Sequence, residues 1–394
     1  MRQIKFIVAL LLLIGCSCFA KAQPDEDAAS YFNPIRYAVP TLVIAPDARA
    51  GSMGDVGAAT EPDVYSQHWN PAKYAFAYSK AGIALTYTPW LRKIVDDINL
   101  GYLVGYYKLG EEDRHALSGS LRYFSIGEIH MTGASPDDDM GTVSPYEMTA
   151  DVMYSLKLNE NFSMAAGLRF IYSDLGASAA GNNGITPGSA WAGDIAGYYN
   201  KYVMLGNSEC MLGLGFDISN IGSKLSYNGA ITNEFLPANL RLGASLLAPL
   251  DDYNTISFNL DINKFLIPTP PLRSSDEIEQ QRQWREYNDQ SPIAGIFKSF
   301  SDAPGGFKEE LQELRGGLGI EYGYDNKFFI RSGYFYENPN KGNFRYFTAG
   351  AGFKMEVLQL DVAYLISTTP SNPLDQTLRF SLSFDMDGLK NLMR

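Results

Sequence analysis

Histidines, cysteines and clustered carboxylates are the groups from which this 394-residue chain could build a reactive centre. Their placement argues against one. His68, His115 and His130 stand in separate segments, and no Gly-x-Ser-x-Gly elbow pairs a serine nucleophile with any of them as base. His115 falls at the start of a strand beside a turn, where a solvated imidazole is the simpler account. Asp137-Asp138-Asp139, with Glu128 and His130 near in sequence, offers the clustered oxygens a divalent cation takes. The EF-hand spacing is absent, and a solvated acidic face is the more common account of such a run. Gly181-Asn182-Asn183-Gly184-Ile185-Thr186-Pro187-Gly188 has the glycines of a phosphate loop without its lysine, and reads as a turn. The chain is therefore expected to have no catalytic activity, no metal and no cofactor.

Single charges at alternate positions have another use. Arg169, Arg241, Arg331, Asp151, Asp217 and Asp361 fall in segments where apolar and polar residues alternate. Such charges line a channel or form internal ion pairs, and pairs that brace a filled interior are the favoured expectation.

That alternation decides the fold, because successive strand side chains point to opposite faces. In Met148–Leu156 the even positions are apolar, and Thr149, Asp151 and Ser155 take the other face. Next, Met164, Ala166, Leu168, Phe170 and Tyr172 oppose Ser163, Arg169 and Ser173. Segments of the same period begin near Ile83, Ile98, Leu117, Ala190, Leu212, Leu240, Ile256, Leu318, Phe328, Phe347, Leu358 and Leu378. The expectation is an all-β, transmembrane antiparallel barrel of about fourteen strands, each near the roughly 9–11 residues a tilted membrane strand needs.

The connections alternate in length, as outer-membrane barrels require. Short links fall at 110–113, 159–161, 249–252, 325–327 and 354–356, and long loops at 125–146, 174–188, 219–237, 265–313 and 367–376. Long loops are expected outside the cell and both termini in the periplasm. The last strand, Leu378–Phe384, should close the barrel on the first.

Composition agrees: 13% aromatic and only 19% charged residues suit strands with interfacial aromatic ends. A net charge of −12 disfavours a nucleic-acid partner. Residues 1–22 read as a signal peptide, with Arg2 and Lys5, an apolar run Phe6–Ile14, and Ala20-Lys21-Ala22 before Gln23. Leu13-Ile14-Gly15-Cys16 leaves a lipoprotein signal as the alternative. Loss of residues 1–22 removes Cys16 and Cys18, so that Cys210 stands alone and no internal disulfide forms.

Two regions do not alternate. Residues 23–81, rich in Ala, Gly and Pro, are expected to plug the barrel, which then spans 82–385 with a tail over 386–394. Gly51, Gly54, Gly57, Ala58 and Ala59 allow close backbone packing there. The loop 265–313 is the largest. Helices are expected at 276–285 and 308–314, and Ile293, Ile296, Phe297, Phe300 and Phe307 give the loop an apolar side.

Asp47-Ala48-Arg49-Ala50-Gly51-Ser52-Met53-Gly54-Asp55-Val56-Gly57-Ala58-Ala59-Thr60, followed by Gln67-His68-Trp69-Asn70-Pro71-Ala72-Lys73-Tyr74, resembles the PorV family of type IX secretion components, within the wider group of FadL-like barrels. The plug motif is carried by Asp47, Arg49, Met53, Gly54, Gly57, Asn70, Pro71 and Ala72. The resemblance implies a non-enzymatic outer-membrane shuttle. It would take cargo by the C-terminal signal domain at the translocon barrel and pass it to the sortase and attachment complex on the cell surface. Trp284, Tyr287, Ile296, Phe297 and Phe300 are the candidate partner-binding residues, on the strength of loop length and apolar character. Outer-membrane lipid is the other expected neighbour. FadL-like transport of hydrophobic small molecules is the competing function. An outer-membrane lipid deacylase and a soluble β-sandwich fit less well, the first for want of a nucleophile and base, the second because a sandwich would not need the outward aromatics and regular long and short connections of this sequence.

Overall fold

A computed structural model of the chain describes residues 32–90, 95, 97–132, 139–176, 186–227, 232–272, 276–369, 372 and 374–386. The expected signal peptide, Asp137, Asp138, Gly181–Ile185 and nearly all of the C-terminal tail lie outside the described residues.

Fourteen strands close into an antiparallel barrel. In chain order they are β1 Ala81–Pro89, β2 Asn99–Leu109, β3 His115–Ser125, β4 Tyr146–Lys157 and β5 Phe162–Asp174. The longest pair, β6 Gly188–Leu205 and β7 Ser208–Gly222, comes next, then β8 Asn239–Pro249 and β9 Asn254–Phe265. The set ends with β10 Arg315–Tyr324, β11 Phe328–Tyr336, β12 Arg345–Lys354, β13 Leu358–Ser367 and β14 Leu378–Asp385. Each strand pairs with its sequence neighbours, and β14 closes on β1 with Tyr87 opposite Phe380 and Ile83 opposite Phe384.

The burial pattern is inverted relative to a soluble protein. Leu85, Leu121, Val152 and Leu168 on the outer face are more than half exposed, while Thr86, Ser120, Asp151 and Arg169 on the inner face are buried. An outward apolar band around a polar interior is what a lipid-facing barrel presents. No described helix is long and apolar enough to cross a membrane.

The five expected short links fall at turns. Three connections escaped the sequence reading: a tight turn at 206–207, and the links 90–98 and 337–344 at the opposite end. With them the alternation is strict, giving one short-turn end and one long-loop end. Strands β6 and β7 overrun the short-turn end, where residues 201–205 pair with β7 but have no partner on β5.

The N-terminal segment runs through the barrel. Phe32 to Val43 lie at the long-loop end, with Asn33 bonded to Asn340 O and Ala38 to Phe235 O. The chain then descends through helices α1 (Ala48–Gly51) and α2 (Ser66–Trp69) and a 3₁₀ segment, Pro71–Phe76. It leaves at the short-turn end, where Ser79 meets Asp385. The first described residues and the end of β14 are thus at opposite ends of the barrel. The reason is that β1 starts at the short-turn end, and the segment crosses the barrel once to reach it.

Candidate partner-binding face and the filled lumen

The inner segment is fastened to the wall by residues whose types suit that task. Asp47 caps α1 by accepting from Ala50 N at 2.8 Å, and its other oxygen accepts from Trp69 Nε1 at 2.6 Å. Both groups are buried, so each satisfies a donor that water cannot reach. Arg49 reaches Glu321 on β10 at 3.2 Å and Asp63 at 2.8 Å. Arg331 on β11 takes the other oxygen of Glu321 at 2.5 Å and Asp361 on β13 at 2.6 Å. Asp261 on β9 accepts from the amides of Gly57 and Ala58 at 2.8 and 2.9 Å.

Close approach explains the glycines. Gly54 has φ +72°, and a Cβ there would lie 2.7 Å from Tyr334 O; one on Gly57 would lie 2.4 Å from the Trp69 ring. Met53 is buried against Gly319 and Gly333 of the wall. Asn70 accepts from Ala72 N and donates to Ala58 O and to Gly197 O of β6, opening the 3₁₀ segment that Pro71 leads. Ala72 is fully buried and its carbonyl accepts from Ser163 Oγ of β5.

The remaining inner charges pair as well. Arg169 joins Asp151 at 3.2 Å and Asp194 at 2.8 Å; Asp194 sits at the bulge where β6 slips register on β7. Arg241 lies 3.7 Å from Asp217, donates to the His68 and Trp69 carbonyls, and stacks on the Trp69 ring at 4.7 Å. All six charges singled out in the sequence are thus in ion pairs. The cavity between Leu42, His68, Tyr102, Arg122 and Asp151 measures about 10 Å³, room for a single water.

The long-loop end carries a lid built from three helices, α3 Glu277–Asp289, α4 Pro292–Lys298 and α5 Phe307–Gln312. Asp276 caps α3 and Ser291, followed by Pro292, caps α4. On the inner face of α5, Glu309 and Glu310 are buried, as is Glu313 just beyond it. Lys264, at the end of β9, lies 3.0 Å from Glu310 and 2.7 Å from Glu313. Lys341, in the 337–344 link, lies 2.5 Å from Glu309 and 3.0 Å from Glu313. Asp302 accepts from Thr269 N and Oγ1; burial, reinforced by Glu310 and Glu313, raises its carboxyl to about 6.

The five candidate contact residues divide. Tyr287 is buried with Ile35, Phe235, Phe265 and Ile267, and Trp284 is half-buried against that cluster under the Arg36 guanidinium. Burial also pushes the Tyr287 phenol up. Ile296 is half-buried over a cavity of about 10 Å³ lined by Phe235, Leu236 and Ile267. Phe297 and Phe300 are exposed, at 75% and 51%. Ile293 and Phe297 share one face of α4, and Phe307 and Leu311 one face of α5, all four exposed.

Sequence reasoning missed the residues that hold these parts: Glu321, Asp261, Asp194, Lys264, Lys341 and the glutamates of α5. The signal was a charge at an inward strand position, read for Arg331 but not for Glu321 ten residues earlier. It also missed α4, although Ser291-Pro292 is a cap followed by a first-turn proline. The three histidines have separate neighbours: Arg122 for His68, Tyr154 for His115 and Thr142 for His130. Among the described residues no group of three or more His, Cys, Asp or Glu is arranged to hold a metal ion.

A closed barrel of fourteen antiparallel strands, apolar outside and filled by its own N-terminal segment, is an outer-membrane barrel of the FadL-like class. Its fold is similar to that of the toluene transporter TodX of Pseudomonas putida, at 11% identity and a TM-score of 0.50, covering 86% of this chain and 97% of that one. A FadL homologue from Pseudomonas aeruginosa is also similar, at 10% identity and a TM-score of 0.43, covering 89% and 100%. No curated protein matches the sequence. Residues 27–272 match the family described as type IX secretion system protein PorV, and the chain belongs to that family. The match takes in the inner segment and β1 to β9 and ends before the lid.

Proposed function

We propose that this barrel is a non-enzymatic shuttle of type IX secretion, binding the C-terminal signal domain of cargo on its lid and passing it from the translocon barrel to the sortase and attachment complex. In this reading the long loops face outside the cell, the end of β14 faces the periplasm, and outer-membrane lipid surrounds the strands. The observation that carries it is the pairing of a filled lumen with exposed apolar stripes on α4 and α5. A protein whose interior is occupied by its own chain has its free recognition surface on the outside, and exposed aromatics on a braced scaffold suit a protein partner.

A second reading, transport of a hydrophobic small molecule, draws on the fold shared with a toluene transporter and on the apolar cavity under Ile296. About 10 Å³ holds no hydrocarbon, so that reading requires the lid to move.

The deciding experiment titrates the detergent-solubilised barrel with an isolated C-terminal signal domain, using tail-free cargo as control. Saturable binding of the signal domain alone supports the shuttle. Absence of binding, together with tight uptake of a long-chain lipid, would replace it with the transporter.

A further inference from the structure

Residues 33–38, the first leg of the inner segment, hold to the lid and the rim beneath it. Asn33 donates its amide to Asn340 O and its Nδ2 to Pro270 O, both at 2.9 Å. The Arg36 guanidinium sits 5.0 Å above the Trp284 ring, and the Tyr37 ring lies 4.8 Å from that of Phe265. Ala38 N donates to Phe235 O at 2.8 Å. From Ala38 and Val39 onward the wall joins in, although Val43 still packs on the Phe235 and Tyr287 cluster. Arg122 of β3 donates to the carbonyls of Thr41 and Ile44, and Leu42 packs with Ile171, Ala190 and Ala192 of β5 and β6.

Val39 lies between the two attachments with φ +53°. A β-branched residue in the left-handed region is strained, and surrounding contacts must hold it there. The lid has Gly306 just before α5, at φ +68° with nothing within 4 Å of where a Cβ would stand. Its anchorage is the buried cluster of Lys264 and Lys341 with Glu309, Glu310 and Glu313. Residues 47–76 have a separate anchorage, the Arg49–Glu321–Arg331–Asp361 chain and Asp261.

We propose that the lid and residues 33–38 open as one unit, released at the Lys264 and Lys341 cluster and pivoting at Val39, while residues 47–76 stay in place. Opening then breaks the bonds of Asn33 and Ala38 to Asn340, Pro270 and Phe235 and bares apolar Phe235, Phe265 and Ile267 at the mouth without unplugging the barrel. Closure has two tiers because the two anchorages share no residue. The device does not depend on which partner or ligand meets the lid.

Hydrogen exchange on the full-length barrel in detergent, followed at rising denaturant, tests this directly. The bonded amides of Asn33 and Ala38 and those of 277–298 should exchange through one opening with a common denaturant dependence, below the concentration that opens 47–76. In Lys341→Met, which strands Glu309 and leaves Glu313 to Lys264 alone, both segments should exchange at least about tenfold faster, with 47–76 unchanged. Protection of the Asn33 and Ala38 amides while 277–298 opens, or opening of 47–76 together with them, would overturn the proposal. If the variant fails to insert, the wild-type denaturant series alone separates these outcomes.

Discussion

Arg49 and Glu321, 272 residues apart, form the ion pair that ties the inner segment to the barrel wall, with Arg49 Nη2 3.2 Å from Glu321 Oε1 and its Nε donating to Oε2. Both are buried, and Arg331 holds the same carboxylate from the wall. Removing one partner of a buried pair leaves an uncompensated charge, which costs about 3–5 kcal/mol. Arg49→Met should therefore lower the unfolding free energy of the purified barrel in urea by that order and raise its leak conductance in planar bilayers. A double variant, Arg49→Met with Glu321→Gln, should recover part of the loss, since it removes both members of the pair.

Asp47 has two duties, and one substitution separates them. Asp47→Asn keeps an oxygen that can accept from Ala50 N but presents an amide where Trp69 Nε1 needs a second acceptor. Asp47→Ala removes both, losing about 1 kcal/mol for the cap and about 1–3 for the stranded indole N–H. Thermal unfolding should rank wild type above Asp47→Asn above Asp47→Ala. Equal destabilisation by the two variants would mean that the indole bond carries the whole effect.

Gly54 approaches the backbone of β11 more closely than any side chain permits. Gly54→Ala meets a strained φ and a Cβ 2.7 Å from Tyr334 O, with backbone rather than a movable side chain in the way. A loss of about 2 kcal/mol or more in chemical denaturation is expected. Gly110→Ala is the matched control: its φ is +80° but nothing lies within 4 Å, so it should lose only the strain term.

The barrel was legible because the membrane imposes a rule on every strand. Asp151 and Arg169 could be placed inside, and Val152 and Leu168 outside, from the period of two alone. That signal fades where the membrane does. Beyond the short-turn end, Tyr202 and Met204 on the inward face of β6 are exposed, so alternation no longer reports a lumen and the turn at 206–207 went unread. The plug motif was legible as small residues around Gly54 and Gly57, but not its partners. Glu321 and Asp261 are distant in sequence, and a lone inward acid carries no mark of what it will meet. The lid was hardest. Tyr287 and Phe297 are both aromatic and ten residues apart, yet helix packing buries one and exposes the other.

Asp302 makes lid docking respond to pH. Its carboxyl is raised to about 6 by burial and by Glu310 and Glu313, against about 3.9 for a solvated aspartate when the lid is undocked. The docked state therefore holds the proton more tightly. The cost of the ionised group is fully present above about pH 6 and is relieved as pH falls towards about 4, so docking tightens on acidification through that window. Acrylamide quenching of a variant retaining Trp284 as its single tryptophan should weaken between about pH 7 and about pH 5. In Asp302→Asn that difference should shrink or vanish.

Phe297 and Tyr287 give the proposed docking role its sharpest test, because structural and recognition effects fall on different residues of one lid. Tyr287 packs on Phe235 and Trp284 with ring centroids 5.5 Å away in each case, so Tyr287→Ala should loosen the lid at a cost of about 3 kcal/mol whatever binds outside. Phe297 is 75% exposed, and Phe297→Ala should leave unfolding unchanged. If the signal domain docks on the α4 stripe, the same variant should weaken its binding about tenfold or more, the effect expected of an aromatic anchor at an interface centre. Pairing Phe297→Ala with Phe307→Ala should weaken it further if one partner spans α4 and α5. Undiminished affinity in that double variant would move the docking site off the lid while leaving the Lys264 and Lys341 cluster and the filled lumen as they stand.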